Sequence, residues 1–304
     1  MVDVLFTILI FERIGECKMT KNKTWFYVFI APVIIALFCV VILPLVFGIY
    51  YSFTDWDGVT VRGFVGLQNY FDVFKDEGFR KALWFTIKFS VVSIFLINII
   101  GLSLALIVTQ KFKGSMLLRT IFFMPNLIGG LILGFIWQFI FIKAFASIGE
   151  LIGVESLQVW LSTTTTGFWA LVIVMCWQMS GYIMVIYISY LQGVDESLLE
   201  AASLDGATEF QKFWQIKFPM IMPAFTVSLF MTLSNCFKLY DQNLSLTGGG
   251  PYNSTQMVAM NIFNTAFSQN KMGYAQAKGI IFFIIVAAIS LTQVYITKKK
   301  EVEV

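Results

Sequence analysis

Seven residues of this chain combine the side-chain types that could hold a hydroxyl-rich solute, and they lie in or beside strongly apolar stretches. They are Gln178, Gly181, Tyr182, Asn235, Lys238, Tyr240 and Asp241. Amides, charged groups and flat aromatic rings are the groups that fix such a solute in a pocket. Asn235 and Lys238 are three residues apart and therefore share a helix face. The sequence predicts a solute-contacting path at these residues, and hydrogen bonding between helices is the alternative.

Three lysines lie inside apolar stretches, where a charge at the membrane centre costs roughly 2.5–3.5 kcal/mol. Lys88 and Lys278 lie near the ends of their stretches, so we expect their long side chains to extend to the membrane surface. Lys238 differs, because amide, phenol and carboxylate residues surround it in the sequence. It is therefore retained as a candidate for solute contact.

The sequence shows no pattern typical of an enzyme. It contains no His, which removes imidazole catalysis and the commonest metal ligand. The glycines Gly248–Gly250 are not followed by the Lys-Ser/Thr of a nucleotide-binding loop. The four cysteines are scattered, so their spacing predicts buried thiols rather than a metal site. We expect no catalytic residue, no metal and no cofactor bound by this chain.

Composition places these residues in a membrane protein. The chain has 304 residues, of which 58% are hydrophobic and 13% charged, and its mean hydropathy is +0.79. Soluble domains carry about 25% charged residues. A net charge of only +3 gives no support to a nucleic-acid partner.

Six segments are long and apolar enough to cross a bilayer, which takes about 20 residues of helix. Each must be helical, because lipid offers no partner for backbone polar groups. The sequence thus predicts an all-α integral membrane protein with six transmembrane helices. The spans are Trp25–Tyr50, Leu83–Val108, Thr120–Ile142, Phe168–Tyr190, Pro219–Tyr240 and Tyr274–Ile296.

Lysines and arginines set the predicted orientation. The side that holds both termini has about twice as many lysines and arginines near the span ends as the other side. Because cytoplasmic loops are enriched in these residues, we expect the N- and C-termini to lie in the cytoplasm. The polar run Glu200–Pro223 then lies in the cytoplasm, between the fourth and fifth spans. The outer segments include a turn signal at Asp57-Gly58 and a candidate amphipathic helix in GLQNYFDVF.

The first eighteen residues do not fit this arrangement. Their apolar run is too short to span, and it lacks the basic start and the cleavage site of a signal peptide. Met19 then begins a short basic tail that leads into the first span. We interpret residues 1–18 as an upstream translation extension, or else as a segment on the membrane surface.

The polar run resembles the EAA loop of permease subunits of binding-protein-dependent ABC importers. Glu200-Ala201-Ala202, Asp205-Gly206-Ala207, Phe213, Ile216 and Pro219 carry the resemblance, and Phe218 replaces the usual Leu. Other stretches, including PLVFGIYYSFTDWDG and LTGGGPYNST, resemble the maltose-type or multiple-sugar permease group. The resemblance covers nearly the whole chain after Met19.

The resemblance divides the chain into a tail at 1–24, a first transmembrane helix with an extracellular segment at 25–82, a permease core of five helices at 83–297 and a cytoplasmic tail at 298–304. It places the EAA loop at 195–219, and that name is kept for these residues below. It implies the type I importer fold, a location in the plasma membrane and a sugar, either an oligosaccharide or a glycoside, as solute.

The resemblance also implies partners. A second homologous permease would complete the path, two ATPases would bind ATP and Mg, and an extracellular solute-binding protein would deliver the sugar. The EAA loop would dock on an ATPase. Its alanines favour helix, Gly206 permits a turn, and Phe213 and Ile216 would anchor the second short helix before Pro219 opens the next span.

Three alternatives are considered, one within the ABC permeases and two from other classes of protein. A glycerol-phosphate ABC permease would need basic residues facing the path, and Lys238 is the only candidate. An ion-driven secondary transporter would need a carboxylate near mid-membrane, and the predicted spans contain none. A membrane-embedded enzyme would need a nucleophile–base or metal constellation, which is not visible.

Overall fold

The computed structural model describes residues 23–110 and 113–301, so the predicted extension at 1–18 lies outside the described residues. The chain forms two compact units. The first comprises residues 23–76 together with Ile262–Phe282, and the second comprises Glu77–Asn261 with the residues from Phe283 onward. Each unit is described by itself.

The first unit opens with a long apolar helix, which is the predicted first span. Helix α1 (Lys23–Leu37) continues through a wide turn at Phe38–Ile42 into α2 (Leu43–Ser52). Pro44 follows the wide turn. A proline has no N–H to donate to a carbonyl of the preceding turn, and the widened turn accommodates this missing hydrogen bond. The spanning helix runs Phe26–Ser52.

A small hairpin follows the first span. Strands β1 (Thr54–Trp56) and β2 (Val61–Phe64) pair antiparallel around the predicted turn at Asp57. The Asp57 carboxylate accepts hydrogen bonds from the Thr60 amide at 2.8 Å and the Val59 amide at 3.0 Å, and these bonds hold the pKa of Asp57 well below its usual range. The turn prediction is confirmed, and the hairpin adds two short strands that the all-α prediction did not include.

Helix α3 (Gln68–Lys75) confirms the predicted amphipathic helix. It is tied to the end of the first span by two hydrogen bonds and to strand β1 by a third. The Asn69 amide nitrogen donates to the carbonyl oxygens of Ser52 at 2.8 Å and Thr54 at 3.0 Å, and the Tyr70 and Ser52 hydroxyls are 2.7 Å apart.

An ion pair with a buried lysine joins two segments of the first unit that are distant in sequence. Lys278 is only 2% exposed, and its ammonium lies 2.8 Å from the Asp76 carboxylate and 2.9 Å from the Thr265 hydroxyl. The Tyr274 hydroxyl donates to the same carboxylate at 3.0 Å. The prediction that Lys278 reaches the membrane surface is therefore wrong, because a carboxylate distant in sequence pairs with it. Lys88, in contrast, is exposed, and its ammonium lies 5.1 Å from the centre of the Trp84 ring.

The core of the second unit is built by three helices: α4 (Glu77–Val108), α9 (Thr164–Leu191) and α13 (Met222–Phe237). Besides apolar packing, four buried polar side chains join these helices. The Asn98 oxygen accepts from Tyr187 at 2.9 Å and from Ser228 at 2.8 Å, while its amide nitrogen donates to Thr232 at 3.2 Å. In an apolar surrounding, each partner satisfies a group that would otherwise be costly to bury.

The third span is shifted relative to the prediction. Helix α5 (Ser115–Phe123) ends in a tight turn at Met124–Leu127, and the spanning helix then runs Gly130–Ile152 rather than Thr120–Ile142. It consists of α6 (Gly130–Phe139), a wide turn at Ile140–Ala144 and α7 (Phe145–Ile152). Pro125 breaks the helix, since it lacks the donor that a continuous helix needs, and Ile128 is extended.

The fifth span is also not the single helix predicted from Pro219 to Tyr240. The segments Glu209–Met220 and Met222–Phe237 meet at a bend of 68°. Pro223 cannot donate to the carbonyl of Pro219 and its ring clashes with that carbonyl, so the helix turns at Ile221. Helix α13 then ends at Phe237, three residues before the predicted end.

Three of the other spans lie within four residues of their predictions, at Phe26–Ser52, Thr164–Leu191 and Met272–Lys298, and the second, Glu77–Val108, begins six residues before its predicted start. Helix α15 is Met272–Lys298. Within the described part of the chain, five helices are long and apolar enough to span, and the bent pair makes up to six. The shorter elements are α8 (Glu155–Gln158), α10 (Glu196–Leu204), α11 (Glu209–Lys212), α12 (Phe218–Met220) and α14 (Val258–Phe263).

Candidate functional site

Most of the predicted solute-contacting residues come together around one cavity of about 270 Å³ in the second unit, here called the polar cavity. Five of the seven line it: Gln178, Asn235, Lys238, Tyr240 and Asp241. Asn126, Gly130, Met175, Met179, Leu239 and Gln242 complete the lining. Its volume is near the lower end of small-molecule pockets, which measure about 300–1,000 Å³.

A break in helical structure positions the charged residues of the polar cavity. Helix α13 ends at Phe237, Lys238 caps it, and regular helical structure resumes only after Tyr240. Irregular backbone at membrane depth is tolerated where it is buried in protein or lines a water-filled cavity. The break at Lys238–Tyr240 therefore fits a polar passage rather than a lipid-facing surface.

Hydrogen bonds fix the amides of the polar cavity. The Gln178 amide nitrogen donates to the Ile128 carbonyl at 3.0 Å, across the break that Pro125 introduces. Gln242 donates to the Gln178 side-chain oxygen, and Asn235 donates to the Met231 carbonyl at 2.9 Å. The turn before α6, helix α9 and the segment after the break at Lys238–Tyr240 are thereby joined around one space.

The charges of the polar cavity are balanced. Lys238 and Asp241 are both exposed and both line it, so it presents one cation and one anion beside several amides. Such a lining offers donors and acceptors to hydroxyl groups without a net charge. It suits a neutral polyhydroxylated solute better than an anion.

Two of the predicted residues lie elsewhere. Gly181 packs against the end of helix α5, so closely that an added Cβ would overlap the carbonyl oxygen of Phe122. Tyr182 is half-buried and packs against the apolar core. Neither residue lines the polar cavity. Because the fourth span is apolar on all sides, its sequence does not indicate which face of the helix borders the cavity.

Asn126 and Gln242 were not among the predicted site residues, although both line the polar cavity. A feature of the sequence could have indicated each of them. Asn126 is an amide directly after the helix-breaking Pro125, and Gln242 follows Asp241. Met175 and Met179 lie one turn apart on α9, and nothing distinguishes them in the sequence from other apolar residues.

The EAA loop forms two short helices joined by a glycine turn. Helix α10 is capped by Asp195, which accepts from the Ser197 amide at 2.9 Å, and this bond lowers the pKa of Asp195. At its other end Gly206 has φ +83°, and the Ala207 amide donates to the Ala202 carbonyl at 2.9 Å. Glycine suits this left-handed position because a side chain there costs about 1–2 kcal/mol.

The second helix of the EAA loop connects to the fifth span through aromatic rings. Helix α11 starts at a capping box between Thr208 and Gln211 and continues through a wide turn at Phe213–Lys217. The Trp214 ring lies 5.1 Å from the Phe213 ring and 5.0 Å from the Phe218 ring. The predicted anchors Phe213, Ile216 and Pro219 are all half-buried.

The EAA loop presents apolar side chains to solvent. Leu204 is 90% exposed and Phe210 is 73% exposed. The carboxylates of Glu200 and Asp205 are exposed on the same loop, as is Ala201, while Ala202 and Ala207 are half-buried. Large exposed apolar side chains rimmed by charged residues are typical of a protein interaction surface.

The chain is similar to known membrane transport components. The family model described as binding-protein-dependent transport system inner membrane component matches residues 97–302. The probable starch degradation products transport system permease protein AmyD of Thermoanaerobacterium thermosulfurigenes is 53% identical over 288 residues, which are 95% of this chain and 99% of that protein. The multiple sugar-binding transport system permease protein MsmF of Streptococcus mutans is 33% identical, with 94% and 99% covered.

A solved structure shares the fold. It is the crystal structure of a bacterial ABC transporter involved in the import of the acidic polysaccharide alginate, which matches with a TM-score of 0.80 at 20% identity. The match covers 90% of this chain and 95% of that one. The sn-glycerol-3-phosphate transport system permease protein UgpA of Agrobacterium fabrum is a more distant relative, 28% identical over 92% of this chain and 96% of its own length.

Proposed function

The chain belongs to the family of inner membrane components of binding-protein-dependent transport systems, and from this premise we propose that it is the permease subunit of an ATP-driven sugar importer. It is a multi-pass membrane protein with the type I permease fold. The proposed solute is a neutral oligosaccharide or glycoside. It would cross the membrane along a path that includes the polar cavity.

The names of two relatives support a sugar as the solute. A protein 53% identical over nearly the whole chain is named for starch degradation products, and a second, 33% identical, is named for multiple sugars. The observation on this chain that carries the proposal is the polar cavity itself. Its amides, the Tyr240 ring and the balanced pair Lys238 and Asp241 match a solute rich in hydroxyl groups and without charge.

The EAA loop supports the proposed energy source. We propose that it docks on one of two partner ATPases, which bind ATP and Mg, while a second homologous permease completes the path. An extracellular solute-binding protein would deliver the sugar. The exposed Leu204 and Phe210 would enter an apolar groove on the ATPase, with Glu200 and Asp205 at its rim. ATP binding would then shift a two-state equilibrium between inward and outward access.

A glycerol-phosphate solute is the second candidate, because two relatives that are 28% and 27% identical are named for sn-glycerol-3-phosphate. The polar cavity favours it less. A phosphate needs an excess of cationic or N–H donors, whereas Asp241 lines the cavity beside Lys238. An ion-driven secondary transporter is not supported, since the family is defined by dependence on a binding protein.

The test is purification of the chain with its co-purifying subunits, followed by ATPase assays with the cognate solute-binding protein across a panel of ligands. We expect ATPase subunits and a second permease in the complex. Neutral oligosaccharides should stimulate hydrolysis several-fold, and glycerol 3-phosphate should not. Stimulation by the phosphate ester alone would overturn the assignment of a neutral sugar.

A further inference from the structure

Helix α3 in the first unit presents an apolar face that nothing in that unit covers. Leu67, Phe71 and Phe74 follow the spacing i, i+4 and i+7, so they form one stripe along the helix. Their side chains are 56%, 59% and 65% exposed, respectively. An eight-residue helix with two large exposed apolar side chains, in line with a third on the residue that precedes it, requires an explanation.

The other two sides of α3 are accounted for. Asn69 and Val73 face the protein: Asn69 bonds to the end of the first span, and Val73 is fully buried. Gln68 and Asp72 form a hydrogen-bonded pair at 2.9 Å on an exposed polar side, to which Lys75 belongs by its spacing. The exposed part of the helix is therefore divided into an apolar stripe and a polar stripe along its length.

The position of α3 fixes its depth. Ser52 is the last residue of the spanning helix Phe26–Ser52, so it lies close to a membrane–water boundary. The Asn69 and Tyr70 side chains bond directly to Ser52, which holds the start of α3 within one hydrogen bond of that boundary. Tyr51 and Trp56 stack at the same point, with ring centres 4.3 Å apart, as is typical of aromatic residues at membrane interfaces.

We propose that α3 lies in the plane of the bilayer interface, with Leu67, Phe71 and Phe74 buried among lipid headgroups and acyl chains. The stripe continues the lipid-contacting surface of the first span, to whose end the helix is bonded. Interfacial helices of this kind bury their apolar face by about 5–10 Å and keep their polar face in water. Gln68, Asp72 and Lys75 form that polar face. The helix thus anchors the hairpin β1–β2 and the end of the first span to the membrane surface.

Spin labelling of the full chain, purified with its co-purifying subunits and reconstituted in phospholipid nanodiscs, tests this placement. The four native cysteines are first replaced by alanine, and single cysteines are introduced as Phe71→Cys on the apolar stripe and Gln68→Cys on the polar stripe. Collision rates with oxygen, which concentrates in lipid, and with a water-soluble nickel complex are then compared. The label at 71 should collide several-fold more with oxygen than with nickel, and the label at 68 should show the reverse.

Either of two results would overturn the proposal. Equal access of nickel to both labels would place the apolar stripe in water. A label at 71 shielded from both reagents would show that a protein, such as another subunit or a solute-binding protein, covers the stripe. Phe74→Cys carries the same expectation as Phe71→Cys and serves as the second variant if the first does not assemble.

Discussion

Two lysines in the membrane-spanning helices have different environments, which their neighbours in the sequence do not predict. Lys278 is buried against Asp76, just over 200 positions away in the sequence, whereas Lys88 is exposed and rests on Trp84. Both were predicted to reach the membrane surface. Local sequence gives the depth of a lysine along its helix but not the partner that topology brings to it.

We expect Lys278→Met to destabilise the protein by about 3 kcal/mol, because it leaves the Asp76 carboxylate partly buried without its cation. Thermal unfolding of the purified protein measures the change. Adding Asp76→Asn should recover part of the loss, and Lys271→Met, at an exposed lysine just before α15, should have little effect. An unchanged midpoint for Lys278→Met would show that the pair does not stabilise the fold.

In the polar cavity, we expect Lys238→Gln to raise the solute concentration needed for half-maximal uptake by about tenfold. This corresponds to the loss of one charge-assisted hydrogen bond of about 1.5 kcal/mol. The concentration dependence of uptake in cells measures it. Lys88→Gln is the matched control, since Lys88 is an exposed lysine in another span and does not line the cavity. Equal effects of the two variants would argue against solute contact by Lys238.

Among the elements, the EAA loop was the most predictable from sequence. Its alanines, its glycine and its proline each act locally, and the structure has the two short helices and the turn at Gly206 that they indicate. The third and fifth spans were less predictable. Pro125 and Pro223 were visible, but whether a proline in an apolar segment breaks, bends or is tolerated depends on tertiary contacts.

We expect Gly206→Asp to abolish uptake while the protein still inserts into the membrane. Aspartate tolerates positive φ better than most residues, and no atom lies within 4 Å of a Cβ built there, so the main effect is a third carboxylate beside Glu200 and Asp205. Solute uptake measures the activity, and an immunoblot of the membrane fraction measures the amount of inserted protein, so a loss of coupling is distinguished from a loss of insertion.

The matched control is Gly114→Asp, since Gly114 also has positive φ and open space around it, in the other interior loop of the predicted topology. It should retain uptake. Gly206→Asn adds no charge and should retain more activity than Gly206→Asp. Normal uptake by Gly206→Asp would contradict a role of the EAA loop in energy coupling.

For the whole molecule, the family followed from the sequence, and the comparison with known families confirms it. The six predicted spans correspond to five spanning helices and one bent pair in the part of the chain that the structure describes. The site was predicted in part: the cluster from Asn235 to Asp241 lines one cavity, but Gly181 and Tyr182 face other surfaces. Which face of an apolar helix meets a path depends on packing, and a helix apolar all round, such as α9, gives no periodic signal. The cytoplasmic placement of the termini and the division of the chain at residue 82 stay predictions.

The measurement that tests the central claim most directly is uptake of a radiolabelled oligosaccharide into proteoliposomes that contain the purified complex. The account predicts uptake only with the solute-binding protein outside and ATP on the side of the EAA loop, unaffected by an uncoupler and lost in Gly206→Asp. Uptake that proceeds without ATP and collapses with an uncoupler would contradict it.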